Sequence, residues 1–444
     1  MTDVFTSAAL SLEGKQPEGE LGRPAQGLLE ALGYAPPGAA GAADIDAETR
    51  HRARLLRTAS RAVRIFELSA PDAPGLVTLG AEFDPGLADP LHQGSPVIGV
   101  SGVGLSLQQA FERCIGEAIE YLSQLQTSND ALLQSGRGEH IDSLDPQSRS
   151  LVATRTDADA ELSWHPAKRL GDGSEIWLPA DLCLRRPPAR QDFVPPFPLS
   201  IGSAAGTSWE GAALHGLLEL IERDAASLWW RGGSRGRAVP PQHTAEIEAL
   251  LGQLRPTGAT SRRTWLLDIT TDIGIPVVAA VSCRRDGFGF AFGLAARPTL
   301  AAAIRPAIFE MCQVELAAVV VDAKRRERGD AGLNARDLIH LQRATAINAD
   351  QCILLQPIAA HAEHIGIDGS TPRAALAAIA RHLQARAIEA YCLDLTRSLF
   401  SVPVARIIAP SLQLEPSEIV TPRLAETIAR TGGGAAYTGG IPLL

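Results

Sequence analysis

The sequence predicts a mixed α/β fold of the α+β kind, on three observations. Short runs rich in Val, Ile and Phe, bounded by Gly, Pro or Asp, are typical of β-strands; VRIFEL and TWLLDI are examples. Longer stretches carry apolar residues at three- and four-residue steps, which indicates amphipathic helices. Strands and helices alternate without a regular βαβ repeat, and the chain has no GxxxxGK(S/T) motif, so the pattern favours neither a Rossmann nor a P-loop fold.

Composition sets the broad class of the protein. A chain of 444 residues with 45% apolar residues can build a large core, and its net charge of −9 argues against electrostatic binding to nucleic acid. The six cysteines are far apart and form no CxxC pair, which indicates buried thiols rather than a zinc site. The sequence shows no signal peptide and no apolar run of about 18 residues, so we expect a soluble, cytoplasmic protein.

Acidic pairs three residues apart occur on two predicted helices. Glu117 and Glu120 follow a glycine-flanked entry, and Glu219 and Glu222 follow the glycine-rich stretch 202–206. Residues three apart share one helix face, where two like charges cost about 0.2–0.5 kcal/mol unless a cation lies between them. A hard cation such as Mg²⁺, bridging to phosphate, would be such a partner.

A third helical stretch has a related pattern. Arg305, Glu310 and Gln313 lie within RPAIFEMCQVE, with the acid and the amide again three residues apart. A solvated helix face would explain any one of these stretches taken alone. Three such helices, two of them opened by glycine-rich loops, predict one polar site that is assembled from three parts of the chain.

The segments GEAIEY, AAGTSWEGAALHGLLELIERDA, RPAIFEMCQVE and DLTRSLFSVPVARIIAPSLQ occur in the order found in YcaO-domain proteins. The chain resembles that family over about residues 95–415. The resemblance implies a YcaO-like fold and the use of ATP and Mg²⁺ to phosphorylate a backbone amide oxygen of a ribosomally made precursor peptide. Most such proteins are cyclodehydratases that form thiazoline or oxazoline rings, as in bacteriocin biosynthesis, and some form thioamides or amidines.

The resemblance also implies roles for individual residues. The expected Mg²⁺ and ATP carboxylates are Glu117, Glu120, Glu219 and Glu222. Further ATP contacts are expected from Glu210, Arg223 and Gln313. Arg305 and Glu310 are the expected catalytic residues, with Arg305 stabilising the charge that develops at the transferred phosphate.

Three positions differ from the family pattern. Arg113 stands where Ser is usual, Tyr121 stands where Arg commonly follows the second acid of the pair, and Gly211 occupies a common carboxylate position next to Glu210. These differences keep an alternative open. In that alternative, the chain is a YcaO-like scaffold or peptide-binding protein that has lost catalysis and assists a partner enzyme.

The sequence is divided into two expected regions. Residues 1–75 form an N-terminal region that can dock a partner, and residues 76–444 form the YcaO-like catalytic domain. Because no separate module for gripping a leader peptide is evident, we expect a precursor peptide to be presented by a ThiF-like partner protein. A dehydrogenase is a further expected partner, and a homodimer is the expected assembly.

Overall fold

A computed structural model describes residues 2–15, 21–35, 46–256, 262–359, 363–367 and 369–444. The strands in this part of the chain are β1 (Arg64–Leu68), β2 (Val77–Phe83), β3 (Ile98–Gly104), β4 (Leu133–Gly136), β5 (Glu161–Arg169), β6 (Glu175–Pro179), β7 (Ser203–Ala205), β8 (Arg237–Ala238), β9 (Arg262–Asp268), β10 (Val277–Arg284), β11 (Ala291–Ala296), β12 (Tyr391–Asp394) and β13 (Val404–Ile408).

The α-helices follow in the same way. They are α1 (Thr2–Leu12), α2 (Gly22–Ala31), α3 (Ala47–Ala59), α4 (Leu107–Gln124), α5 (Arg137–His140), α6 (Pro146–Ala153), α7 (Ala180–Cys183), α8 (Trp209–Trp230), α9 (Thr244–Leu254), α10 (Leu300–Arg328), α11 (Ala335–Ala346), α12 (Pro372–Gln384), α13 (Pro422–Thr431) and α14 (Ala435–Thr438). None of the described helices combines the length and the apolar content that crossing a membrane requires.

The strands form three sheets. The first has the order β1-β2-β3, the second β4-β5-β12-β13-β7 with β6 also paired to β5, and the third β11-β10-β9-β8. Neighbouring strands of these sheets are antiparallel. This antiparallel arrangement, with helices packed between the sheets, confirms the predicted α+β class and is incompatible with a parallel Rossmann sheet.

Each of the three long helices that carry the acidic patterns follows an edge strand. Helix α4 follows β3, α8 follows β7 and α10 follows β11, and each of these strands has a single partner strand in its sheet. The helices are preceded by the capping residues Ser106, Ser208 and Thr299, whose side-chain oxygens accept a hydrogen bond from the N–H three residues later. The fold thus repeats one local design three times, namely edge strand, capping hydroxyl and helix.

Glycines allow two of these helices to lie directly against their strands. A Cβ atom on Gly102 of β3 would stand 2.2 Å from the backbone nitrogen of Cys114, and one on Gly293 of β11 would stand 2.1 Å from that of Met311. Real Cβ atoms do not approach backbone so closely, so only glycine permits this packing. The close approach brings edge N–H groups within reach of the helix side chains.

Helix α8 is buried over most of its surface. Its residues that are not buried are Trp209, Glu210, Gly211, His215, Glu219 and Arg223. The last four of these are spaced by four residues, so they form one stripe along the helix. This stripe faces the space between the three long helices, which we call the cleft.

The N-terminal helices pack against α4. The Phe5 and Phe111 rings stack with centroids 6.2 Å apart, and the Tyr34 hydroxyl donates a hydrogen bond to Glu112 (3.1 Å). Strand β1, which precedes residue 75, pairs along its length with β2, which follows it. The division of the chain at residue 75 stays a prediction.

Several element predictions were accurate and two need correction. The sequence predicts a helix at Leu300–Asp322 followed by a charged surface turn, but α10 continues to Arg328, so the KRRER segment is helical. Arg, Lys and Glu are good helix formers, and basic residues favour the last turn of a helix. The sequence also predicts one strand through WLPADLCL, whereas its ADLC segment forms the helical turn α7. The strands expected from VRIFEL to PVIGVSGVG are β1 to β3, as predicted.

Candidate functional site

The acids of the three long helices bind the edges of the three sheets. The hydrogen bonds run from the Ser101 N–H to Glu117 Oε2 (3.0 Å), from the Gly202 N–H to Glu219 Oε2 (3.0 Å) and from the Leu294 N–H to Glu310 Oε2 (2.6 Å). Each acid lies eleven residues after the capping residue of its helix. Edge N–H groups have no strand partner and need an acceptor, so the carboxylates satisfy them and are themselves oriented.

Strand β11 joins two of the helices. The Ala296 N–H donates to Glu222 Oε2 (3.2 Å), and Ala296 lies two residues after Leu294, which binds Glu310. Because alternate N–H groups of a strand point to the same edge, Glu222 of α8 and Glu310 of α10 meet on one edge of the third sheet. Acids that are far apart in the sequence therefore share one place in the fold.

Arg223 lies among these acids. Its Nη2 is 3.5 Å from Glu219 Oε1 and 3.8 Å from Glu222 Oε1. Burial opposes the charge of Arg223, and the carboxylates of Glu222, Glu219 and Glu310 outweigh it and raise the pKa of the guanidinium. Its buried Nε–H has no acceptor among the described residues, which leaves a donor for an anionic group.

The carboxylates carry more negative charge than Arg223 can balance. Burial raises the pKa of Glu117 and of Glu310 to about 7, with further contributions from neighbouring acids. Burial and the charges of Glu219 and Glu117 raise the pKa of Glu120 well above its usual value. The pKa of Glu219 is also raised, first by burial. The Glu117 side chain is nevertheless exposed to solvent at the cleft. The protein around its other sides accounts for the raised pKa.

A metal ion in the cleft would have few protein ligands. In the part of the chain that the structure describes, no three His, Cys, Asp or Glu side chains stand close enough to hold a metal together. Glu117 and Glu310 each bind a backbone N–H through one oxygen, and the other oxygen has no hydrogen bond to the described residues. Free carboxylate oxygens of this kind fit Mg²⁺, which is commonly bound by one or two carboxylates together with phosphate oxygens and water.

Basic groups line the cleft beside the acids. Arg305 is exposed, and its charge, together with that of Arg297, acts on Arg113. Arg113 donates to the Val103 carbonyl (2.7 Å), and His215 is exposed at the cleft. Arg305, the predicted catalytic cation, is thus connected to the acid cluster through α10, which also carries Glu310.

Two predicted ATP contacts are not linked to the cluster by any contact in the described chain. Glu210 lies in the first turn of α8, and Gln313 lies one turn after Glu310 on α10; both are partly exposed. Their assignment stays a prediction. Five of the predicted acids, in contrast, influence one another electrostatically: Glu117, Glu120, Glu219, Glu222 and Glu310.

Two arginines that act electrostatically on Glu120, Arg185 and Arg406, were not predicted from the sequence to lie near the site. Arg406 of β13 is fully buried and donates to the carbonyls of Leu182 (2.9 Å) and Leu199; burial lowers its pKa to about 10. The Arg185 guanidinium lies 4.5 Å from the centroid of the Tyr121 ring. Both lower the pKa of Glu120 electrostatically. Both arginines are far from Glu120 in the sequence, so no local spacing of residues predicts that they lie near it.

The fold is that of known heterocyclase structures. A heterocyclase in complex with substrate and cofactor matches with a TM-score of 0.66 and 22% identity, over 87% of this chain and 55% of that chain. YcaO from Methanopyrus kandleri, bound with AMPPCP and Mg²⁺, matches with a TM-score of 0.53 and 19% identity, over 82% of this chain and 89% of that one. The chain spans about half the length of the first structure, and at these identities the likeness concerns the fold.

Sequence comparison identifies the family. A family model described as YcaO cyclodehydratase, ATP- and Mg²⁺-binding, matches residues 101–413, and the chain belongs to the YcaO family. An uncharacterized protein of Methanothermobacter thermautotrophicus is 27% identical over 361 residues, which is 79% of this chain and 89% of that protein. The matched range contains all three long helices of the cleft up to α10, together with β12 and β13.

Proposed function

We propose that this chain is an ATP- and Mg²⁺-dependent cyclodehydratase that activates a backbone amide of a ribosomally made peptide and closes an azoline ring. The observation that carries the proposal is the convergence of five carboxylates from three helices that follow sheet edges. Three of them, Glu219, Glu222 and Glu310, act on one arginine, Arg223. Buried like charges are costly unless a counter-ion joins them, and Mg²⁺ with a triphosphate supplies one. The family description, ATP- and Mg²⁺-binding, supports the same cofactors.

Each predicted residue has a task in this proposal. Glu117, Glu120, Glu219 and Glu222 hold Mg²⁺, and Glu210, Arg223 and Gln313 contact the nucleotide. Glu310 is a catalytic residue together with Arg305. Arg305, which is exposed to the cleft, stabilises negative charge on the transferred group.

Bound ATP would supply the phosphoryl group that turns the amide oxygen into a phosphate leaving group. The chain's own residues orient the reacting groups and keep them apart from bulk water. In the net reaction, a Cys, Ser or Thr side chain of the peptide bonds to the amide carbon, and the amide oxygen leaves on phosphate. The side-chain and amide protons leave to complete the ring.

The substrate and partners belong to the same proposal. We expect a precursor peptide in the cleft, presented by a leader-binding, ThiF-like partner, with residues 1–75 as its docking region. Helix α3 of this region displays Arg50 and Arg54 at the surface, which suits an acidic partner. A dehydrogenase that oxidises the rings and a second copy of this chain complete the expected assembly in the cytoplasm.

A non-catalytic scaffold is the second candidate, and Gly211 favours it. Gly211 heads the exposed stripe of α8, in line with His215 and Glu219, so the common family carboxylate would point into the cleft from this position. Its absence removes one acid from the site. A scaffold would bind the peptide and the partner without consuming ATP.

The test is the mass of a precursor peptide after incubation with the chain, its partner, ATP and Mg²⁺. An azoline ring and an amidine each form with the loss of one water, whereas a thioamide exchanges oxygen for sulfur, so the mass of the peptide separates the thioamide from the other two. Fragmentation of the peptide then separates an azoline, which lies at a Cys, Ser or Thr residue, from an amidine, in which an amine nitrogen has replaced the amide oxygen. Glu222→Gln and Arg305→Ala should each slow the reaction by about 100- to 1000-fold while the protein stays folded. Unchanged turnover in either variant contradicts the site, and no mass change with the unaltered protein favours the scaffold.

A further inference from the structure

On each of the three long helices, a basic residue precedes the acid that binds the sheet edge. The pairs are Arg113 and Glu117 on α4, His215 and Glu219 on α8, and Arg305 and Glu310 on α10. A separation of four or five residues is about 6–7.5 Å along a helix axis. The cleft therefore has an acidic layer and, about one turn nearer the helix N-termini, a second layer of basic side chains.

We define the basic layer as Arg113, His215, Arg297 and Arg305. Arg297 lies between β11 and the capping residue Thr299, and its guanidinium donates to the Ala296 carbonyl (2.7 Å). The His215 side chain is exposed at the cleft, but the protein around its ring, followed by the charge of Arg297, lowers its pKa to about 4, which keeps the ring neutral near neutral pH. The charge of the layer therefore comes from its three arginines.

The charges of Arg297 and Arg305 act on Arg113, and the charge of Glu112 offsets them only in part. Burial and then the charges of Arg297 and Arg305 lower the pKa of Arg113. Across the described ranges, none of the three forms an ion pair with a carboxylate. Arg113 is held in place all the same, by the Val103 carbonyl (2.7 Å) and by the Phe309 ring, whose centroid is 5.3 Å from the guanidinium.

An anion is the partner that this arrangement lacks. Arg113 and Arg305 are exposed and Arg297 is half-buried, so their donors can be reached from the cleft. Guanidinium groups bind phosphate oxygens through paired N–H donors, and nearby helix N-termini add positive potential. The family pattern has Ser at the position of Arg113. In this chain, the same position places a guanidinium group at the cleft.

We propose that the basic layer binds the terminal phosphate of an oligophosphate chain, with Arg113 and Arg297 as binding residues beside Arg305. The acidic layer, about one turn further along the helices, faces the cation that accompanies the same chain. This inference rests on the proposed function for the nature of the nucleotide, but the anion site itself can be tested without any reaction.

The test is isothermal titration calorimetry with three probes in the presence of Mg²⁺: inorganic tripolyphosphate, ATP and AMP. Arg113→Gln and Arg297→Gln should each weaken tripolyphosphate and ATP binding by about 10- to 100-fold, the value of a charge-assisted hydrogen bond. AMP, which lacks the terminal phosphate, should bind these variants and the unaltered protein equally. Arg326→Gln is the matched control, because Arg326 is exposed near the far end of α10.

Each outcome bears on the proposal. Equal tripolyphosphate affinity in Arg113→Gln, Arg297→Gln and the control overturns it, even if ATP binds tightly and the proposed function holds. Tripolyphosphate binding that the variants lose, without any binding of ATP, supports the anion site and contradicts the proposed function. If Arg113→Gln fails to fold, Arg297→Gln and Arg305→Gln decide, since Arg305 makes no hydrogen bond to the described residues.

Discussion

Two glutamates of helix α10, Glu310 and Glu315, have opposite electrostatic surroundings. Glu315 is 3% exposed and accepts hydrogen bonds from Arg255 Nη2 (2.6 Å) and Arg262 Nε (2.9 Å), and also from the Ser282 hydroxyl. Its charge is more than balanced by the two guanidinium groups. Glu315 thus ties α10 to α9 and to the third sheet, and serves the fold.

Glu310, five residues earlier, has no cation of its own. It accepts one hydrogen bond from a backbone N–H, and the charge of Arg223 lowers its pKa. Arg223 also forms ion pairs with Glu219 and Glu222. The same contrast occurs on α8, where Asp224 is buried and binds the Arg423 guanidinium (2.8 Å), which also binds the exposed Asp272. A buried acid in close contact with a guanidinium indicates a structural role, whereas several buried acids that share too little positive charge indicate a site for a ligand.

The largest expected effect comes from breaking the balanced pair. Glu315→Ala leaves Arg255 buried without its acid and Arg262 without its closest one, although Arg262 keeps Asp72 at 3.7 Å, so the free energy of unfolding should fall by about 3–5 kcal/mol. Glu310→Gln should change it far less, or raise it, because it removes a charge that is already poorly compensated. Urea unfolding of both variants measures the difference. An equal loss of unfolding free energy in the two variants would contradict the different roles given to Glu310 and Glu315.

A smaller effect should appear in the pH dependence of the ligand-free protein. Glu117 and Glu310 have a pKa of about 7 in the folded protein against 4.5 for a free glutamate, so between these values the folded state holds more protons than the unfolded state. This term makes stability fall as the pH rises from about 4.5 to about 7. The double variant Glu117→Gln, Glu310→Gln lacks this contribution. In EDTA, the Tm of the variant minus the Tm of the unaltered protein should therefore increase as the pH rises from about 4.5 to about 7. A constant Tm difference would show that the two pKa values are not raised.

Much of the fold could be predicted from local patterns. The run from Trp209 has apolar residues at helical spacing and gave α8, and VRIFEL and TWLLDI gave β1 and β9, because these segments bury one face or both. Helix α1 and the last turns of α10 were missed. The charged segment 323–328 has no apolar stripe, and it is helical because it continues an existing helix.

The structure brings the acidic motifs of the three helices together, and their role as a nucleotide site stays a prediction. The partners of the acids could not be predicted from the sequence. The N–H groups that orient the acids belong to sheet edges, and sequence does not show which strand will be an edge. Arg185 and Arg406 reach Glu120 only through the tertiary fold. The basic layer was hidden for a different reason, since Arg113 differs from the family pattern and His215 resembles a packed helix residue.

Thermal unfolding with and without ATP and Mg²⁺ tests most directly the claim that the surplus acids form a nucleotide site. At a hundredfold excess over Kd, binding should stabilise the folded protein by about 2.7 kcal/mol, seen as a higher Tm. EDTA should remove this gain and Glu120→Gln should weaken it, while Glu418→Gln, at an exposed position, should keep it. A Tm that does not change at saturating ATP and Mg²⁺ would contradict the account and leave the scaffold as the better description.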